Sequence, residues 1–548
     1  MSSKDFYESI KEKLNTLDLS EIKEFVYNLI RKIPDDKYDE VLAMLDLGNS
    51  YDVLDTEKKI EEFRGKFNKV DECEFHFYAS GYEDYDSYDY WGDNWVWEYY
   101  DEDNLGSLIK NAYLYAINLV NKRLYNYAKQ LLDLIIYTNY RAYDEDAGEF
   151  YELSLTDLSC HHLIQIDVDT LCLYAIYATY QMSEDSRVQR IHDYFQNEAF
   201  CNIHVEDSFS LGPEVLKGTD EFWQNWIMFL SNTPGKTEYR LLKEALVCNS
   251  YANYDDYIEA IACNHPQIVI DLLNYLYLQE KVRELLEVGR KVLKYIDDKL
   301  LIKSDILLYL ARFDDSIRKK CIFEAFQSNS NVVNLLRIIN NGYLNDYKEE
   351  INHFLKYDEK DNRLPFDDEL EENHVTKDNY YYLQFFLGNF DVFYQECLQH
   401  NVSLGWSYSF IDTAVKLWLL LLMNKRSIIY DVLLNEVFFG LGVKDHIEFL
   451  DHEYYTIFSK WKRHFEVKQA LEVLNWLQHL IQKRVDAIVS NQYRKSYFKA
   501  AELVVALGQA LEDNDVMTSE KFINDYHMQY CKYRAFRTEL NKYGKDID

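Results

Sequence analysis

The 548-residue sequence predicts an all-α fold, an α-solenoid of antiparallel helix pairs stacked into a superhelix. Three observations predict it. Apolar residues recur along most of the chain at the spacing that gathers them on one face of a helix. The chain also spends only 5 prolines and 17 glycines, whereas sheet-rich and nucleotide-binding folds use both freely in tight turns and phosphate loops. Finally, helical stretches of roughly 12 to 18 residues fall in pairs separated by short polar turns, which is the trace a helical repeat leaves.

The first element is carried by Ile22, Phe25, Val26, Leu29 and Ile33, with Ser20 placed as its N-cap and Pro34 closing it. A short helix over 36–47 ends at Gly48 and another covers 54–67, so residues 1–70 read as an N-terminal helical segment. Residues 71–104 break the pattern. From Asp71 to Asp103, 33 residues hold 12 acidic and 12 aromatic side chains and no Lys or Arg. Solvated acidic segments are poor in rings, and core segments avoid unpaired carboxylates. The stretch is therefore a boundary element that seals the first helix pair, or one wall of a partner-binding surface formed by Tyr82, Tyr85, Tyr88, Trp91, Trp95 and Trp97. Its ring spacing suits a strand and a helical turn equally.

Residues 105–356 read as a helical-repeat array, with pairs at 106–122 and 124–138, 169–182 and 184–196, and 219–231 and 236–247. Further pairs fall at 266–278 and 280–295, and at 301–313 and 315–326. Two phrases are internally similar: Glu244 to Ser250 precedes a Leu/Ile-bearing stretch, as does Glu324 to Ser330. Residues 357–377 are acidic, contain Pro365 and read as a linker or loop. Residues 378–548 form a C-terminal helical array and cap: a long amphipathic helix over 465–490, then helices near 494–512 and 518–541. In that last segment Arg494, Lys495, Lys499, Arg534 and Arg537 make a basic patch interleaved with Tyr493, Tyr497, Phe498 and Phe536. A terminal repeat needs a polar outer face, so a solenoid cap is favoured over a phosphate contact.

The helix pairs, with phrases such as LYLARFDDSIRKKCIFEAFQSNSNVVNLLRII and RKSYFKAAELVVALGQAL, resemble bacterial tetratricopeptide-like (TPR-like) helical-repeat proteins. They are similar, more narrowly, to the helical region that accompanies SWIM-type zinc fingers. The resemblance spans about 105–544 and implies a helical scaffold. The chain has no Cys-x-Cys followed by Cys-x-His, so no zinc-finger role is implied.

The totals exclude several functions. A net charge of −35 opposes direct binding to nucleic acid, which needs basic surface to release phosphate counterions, and opposes docking on anionic membranes. It favours steering toward a basic protein partner. The longest apolar run, Leu417 to Met423, is far short of the roughly 20 residues that span a bilayer. Nine scattered cysteines and an N-terminus without an apolar leader point to a reducing cytoplasm.

Phosphate-loop, dinucleotide and zinc-protease motifs are absent from the sequence. Arg187 and His192 match the R-x4-H spacing of the helical HEPN ribonucleases, where Arg would bind phosphate and His would move a proton. Cys160, His162, Cys201 and His204 offer ligands for zinc, although structural zinc usually shows two compact pairs. Ordinary helix surface and a buried thiol account for both sets. The expected function is therefore a non-catalytic protein–protein interaction adaptor of a bacterial cytoplasm, with no cofactor. An acidic nucleic-acid mimic that inhibits a nucleic-acid-binding protein and a HEPN-like ribonuclease are the competing readings.

Overall fold

A computed structural model describes residues 19–32, 53–83, 95–144, 147–182, 186–355, 373–407, 409–443, 453–463 and 468–544. The expected helix over 36–47 and residues 357–372 of the expected linker lie outside the described residues. The chain divides into two compact units, Met1–His265 and Pro266–Asp548. The division falls inside the stretch read from sequence as one array.

The first unit is mostly helical but carries a four-stranded sheet, which departs from the all-α expectation. Helices α1 (Leu19–Ile30) and α2 (Val53–Asp71) lead into strands β1 (Phe77–Glu83) and β2 (Trp95–Tyr100). Helices α3 (Leu105–Asn121) and α4 (Tyr125–Tyr137) follow, then strands β3 (Tyr140–Asp144) and β4 (Glu149–Leu153). The sheet order is β2-β1-β3-β4. Pairing is antiparallel within each hairpin and parallel between β1 and β3. The α3–α4 pair is the crossover that a parallel connection requires. Helical repeats alone cannot absorb the alternating rings and carboxylates of residues 71–103; a sheet can, because successive side chains point to opposite faces.

The rest of the unit is α5 (Leu155–Cys160), α6 (Val168–Tyr180), α7 (Arg187–Tyr194), α8 (Thr219–Asn232), α9 (Lys236–Cys248) and α10 (Ile258–Asn264). Asp167 caps α6 by accepting from Thr170 N. Of the ten consecutive residues at its C-terminal end, Leu171 to Tyr180, all but Leu173 are buried. A helix buried on nearly every side is a core helix, and each large apolar side chain so buried contributes about 1.5–3 kcal/mol.

The second unit contains α11 (Gln267–Leu278), α12 (Val282–Val292), α13 (Leu301–Phe313), α14 (Asp315–Ser328), α15 (Val332–Asn340), α16 (Leu344–Phe354), α17 (Lys377–Phe386) and α18 (Phe390–Gln399). It ends with α19 (Phe410–Leu422), α20 (Ile428–Gly440), α21 (Tyr454–Lys462), α22 (Ala470–Ser490), α23 (Tyr497–Asp513), α24 (Ser519–Gln529) and α25 (Arg534–Gly544). Consecutive helices pack on each other, as the pairs α11–α12, α13–α14, α17–α18 and α19–α20 show. Asn331 caps α15 through Asn334 N at 2.8 Å, while Asn334 Nδ2 donates to Ser304 Oγ of α13 at 3.2 Å and to Asn329 O at 2.8 Å. One buried amide thus ties three neighbouring segments.

Two helices differ from expectation. The helix expected over 518–541 is two, α24 and α25, with a turn around residues 530–533. The long amphipathic helix, expected over 465–490, starts at Ala470, and Leu471 in its first turn is 63 % exposed. The apolar run Leu417–Met423 closes α19 and is buried throughout. Helix α23 touches α19, α20, α22, α24 and α25, and is buried on most of its surface.

Candidate binding surface on the N-terminal sheet

The carboxylates of residues 71–103 begin as structural clamps. Asp101 accepts from Leu105 N at 2.6 Å and Gly106 N at 2.8 Å, holding the first turn of α3, where anionic groups are favoured. Asp103 Oδ2 accepts from His76 N at 2.9 Å, and Asp71 Oδ1 accepts from Asn139 N at 2.9 Å. These bonds fix where β1 and β3 start, and hence the register of the sheet.

That register aligns rings. Tyr78 pairs with Tyr100 on β2 and with Tyr143 on β3, and Tyr143 pairs with Phe150 on β4. Directly opposed residues share a face, so Tyr100, Tyr78, Tyr143 and Phe150 form one row across all four strands. His76 sits among them, with ring centroids 4.7 Å from Tyr78, 5.8 Å from Tyr143 and 5.2 Å from Phe150. Tyr143 and Phe150 are 5.0 Å apart. The outer members of the row stand open: Tyr100 is 46 % and Phe150 43 % exposed.

Charge flanks the row on the same face. Glu98 is exposed and accepts from Tyr100 Oη at 2.7 Å. Glu152, also exposed, opposes Arg141, whose guanidinium donates to Cys73 Sγ at 2.7 Å. The opposite face is the packed one. Phe77, Ala79, Tyr140 and Ala142 are buried there, and the small side chains leave room for Trp97 against Tyr151 at 5.2 Å and Tyr99 against His161 at 4.4 Å. Burial, then Asp157 and Tyr151, raise the Tyr99 hydroxyl above its usual pKa. A flat aromatic row edged by carboxylates can stack against apolar or planar groups and attract cations.

Of the rings expected to bind a partner, Tyr85, Tyr88 and Trp91 lie outside the described residues. Tyr82 and Trp95 fall on β1 and β2. Trp97 belongs to the packed face, beside Tyr151. The row members Tyr78, Tyr100, Tyr143 and Phe150 were not among the expected binding residues. Their signal is the one-in-two alternation at 76–78 and 98–100, matched by a second acidic–aromatic hairpin at 140–153.

The other candidate sets occupy separate surroundings. His192 is buried, its Nε2 2.7 Å from Glu238 Oε1 and its ring 4.9 Å from Phe229. The Arg187 guanidinium instead lies 4.0 Å over the Tyr180 ring. Among the described residues, no group of three or more His, Cys, Asp or Glu could hold a metal ion. Cys160 and Cys201 are exposed thiols, His162 is exposed with φ 57°, and His204 Nδ1 pairs with Glu244 at 3.2 Å. In the basic patch, Arg494, Lys495 and Arg534 are exposed, Arg537 is half-buried, and Lys499 reaches Ser407 Oγ at 3.3 Å. Among the described residues, no helix is long and apolar enough to cross a membrane. Compared with known proteins, the chain matches no family model, no curated protein and no solved structure.

Proposed function

We propose that the protein is a non-catalytic interaction scaffold of a bacterial cytoplasm, whose helix pairs stack as TPR-like superhelical repeats and whose N-terminal sheet docks another protein. The observation that carries this reading is the row Tyr100–Tyr78–Tyr143–Phe150, open at both ends and flanked by Glu98 and Glu152. Rigid rings give contact area at low entropic cost, and carboxylates at the rim speed encounter with a basic partner. The net charge of −35 extends that steering beyond the sheet. The free cysteines agree with a reducing compartment.

A photo-crosslinking amino acid placed at Tyr100 or Phe150, in the native host, tests the reading. It predicts a discrete protein adduct from both positions and none from Tyr277, which is 50 % exposed on α11. Equal labelling from all three positions would remove the sheet from the binding surface.

A further inference from the structure

Helix α22 places an arginine on its buried stripe. Val473, Leu477, Leu480 and Ile488 line that stripe, and Arg484 stands among them, only 5 % exposed. Its guanidinium lies 4.2 Å over the ring of buried Trp406, which is fixed by an Nε1 bond to Val402 O at 2.8 Å. Its Nε is buried without a hydrogen-bond partner, and among the described residues no carboxylate lies within 4.0 Å of it. Burial pushes its pKa down to about 10, with Asp412 pulling the other way, so the group remains charged at neutral pH. A buried cation with a ring contact but no ion pair is expensive, and this one borders a cavity of about 450 Å³.

The other walls complete the chemistry. Lys499 of α23 lines the same cavity; among the described residues its Nζ meets the Ser407 hydroxyl at 3.3 Å and the Phe498 ring at 6.0 Å, with no ion pair to a carboxylate. Lys416 is already committed, to Asp412 at 2.7 Å and Glu436 at 3.0 Å. Leu433, Phe439 and Leu503 supply apolar wall. The volume falls in the range of small-molecule sites, roughly 300–1,000 Å³. Two cations without carboxylate partners call for an oxyanion. Asp412, Glu436 and Glu502 in the same walls disfavour a dianion, and the apolar side favours an organic body.

We propose that this cavity binds a small organic carboxylate, its oxyanion held by Arg484 and Lys499 and its apolar body against Leu433, Phe439 and Leu503. A planar guanidinium matches the two oxygens of a carboxylate, and the Trp406 ring holds it in that orientation. The site is independent of the sheet surface.

The test is calorimetric titration of the full chain with 3-phenylpropanoate, phenylalanine and inorganic phosphate, each up to about 10 mM. At least one of the two carboxylates should bind, and binding should weaken at least roughly tenfold in Arg484→Met. Lys499→Met, at a half-exposed position, should weaken the same probe several-fold and covers the case in which Arg484→Met fails to fold. Thermal melts give a second readout: the carboxylate that binds should raise the melting temperature of the parent and raise that of Arg484→Met less. Binding of inorganic phosphate alone would overturn the assignment to a carboxylate. Absence of binding by every probe, or carboxylate binding unchanged in both variants, would overturn the site.

Discussion

Replacing Glu502 by Gln should change how the stability of this protein depends on pH. Glu502 sits on α23, 5 % exposed, and accepts from Tyr543 Oη at 2.8 Å. Burial pushes its pKa from the ordinary 4.5 up to about 7; Glu436 raises it, while Tyr543, Lys416 and Lys542 pull it down. The folded chain therefore holds this proton at pH values where the unfolded chain has released it. The contribution is fully present below the unfolded value, falls as pH rises through the window, and is gone above about 7. At about 1.4 kcal/mol for each pH unit, the window spans about 3 kcal/mol. Glu502→Gln keeps size and an acceptor for Tyr543 but cannot ionise. Urea unfolding of both proteins should give similar stabilities near about pH 5, and a variant more stable by about 3 kcal/mol near about pH 8. Comparing the two cancels the titrating groups that Glu502 does not touch. Parallel stability profiles across that range would refute the reasoning.

Three further changes follow from the packing. Gly106→Ala would place a Cβ 2.2 Å from the Leu163 carbonyl oxygen; because that neighbour is backbone, the cost should be about 1–3 kcal/mol, seen as a lower melting temperature. His192→Ala leaves Glu238 buried without its 2.7 Å partner and should destabilise by roughly 3 kcal/mol in urea titrations. Asn334→Ala removes the amide that joins Ser304 and Asn329, with an expected loss of about 2 kcal/mol by the same assay. An unchanged midpoint in any of the three would contradict the contact it removes.

Helix positions were largely legible because their apolar spacing is strong: the pairs expected at 106–122 and 124–138 appear as Leu105–Asn121 and Tyr125–Tyr137. The break between α24 and α25 was not, because Gln529 to Tyr533 contains no Gly or Pro. The sheet was hidden for a different reason. Its central pairing joins Phe77 to Ala142 across the α3–α4 helices, and local alternation does not reveal so distant a partner. The aromatic row inherits that problem, since Tyr78 and Tyr143 become neighbours only through the parallel pairing. Arg484 did leave a trace, a charge at the spacing of Leu477, Leu480 and Ile488. Helical periodicity alone does not separate such a buried charge from a surface one, because the distinction depends on α19 and α23 closing over it.

The docking role of the sheet is tested most directly by the affinity of a crosslinked, purified partner for the double variant Tyr100→Ala/Phe150→Ala. Both side chains are exposed, so the fold should survive their loss. Removing two aromatic anchors should weaken the dissociation constant by at least roughly tenfold, while Tyr277→Ala leaves it unchanged. Equal affinity for the double variant and the parent would contradict the account.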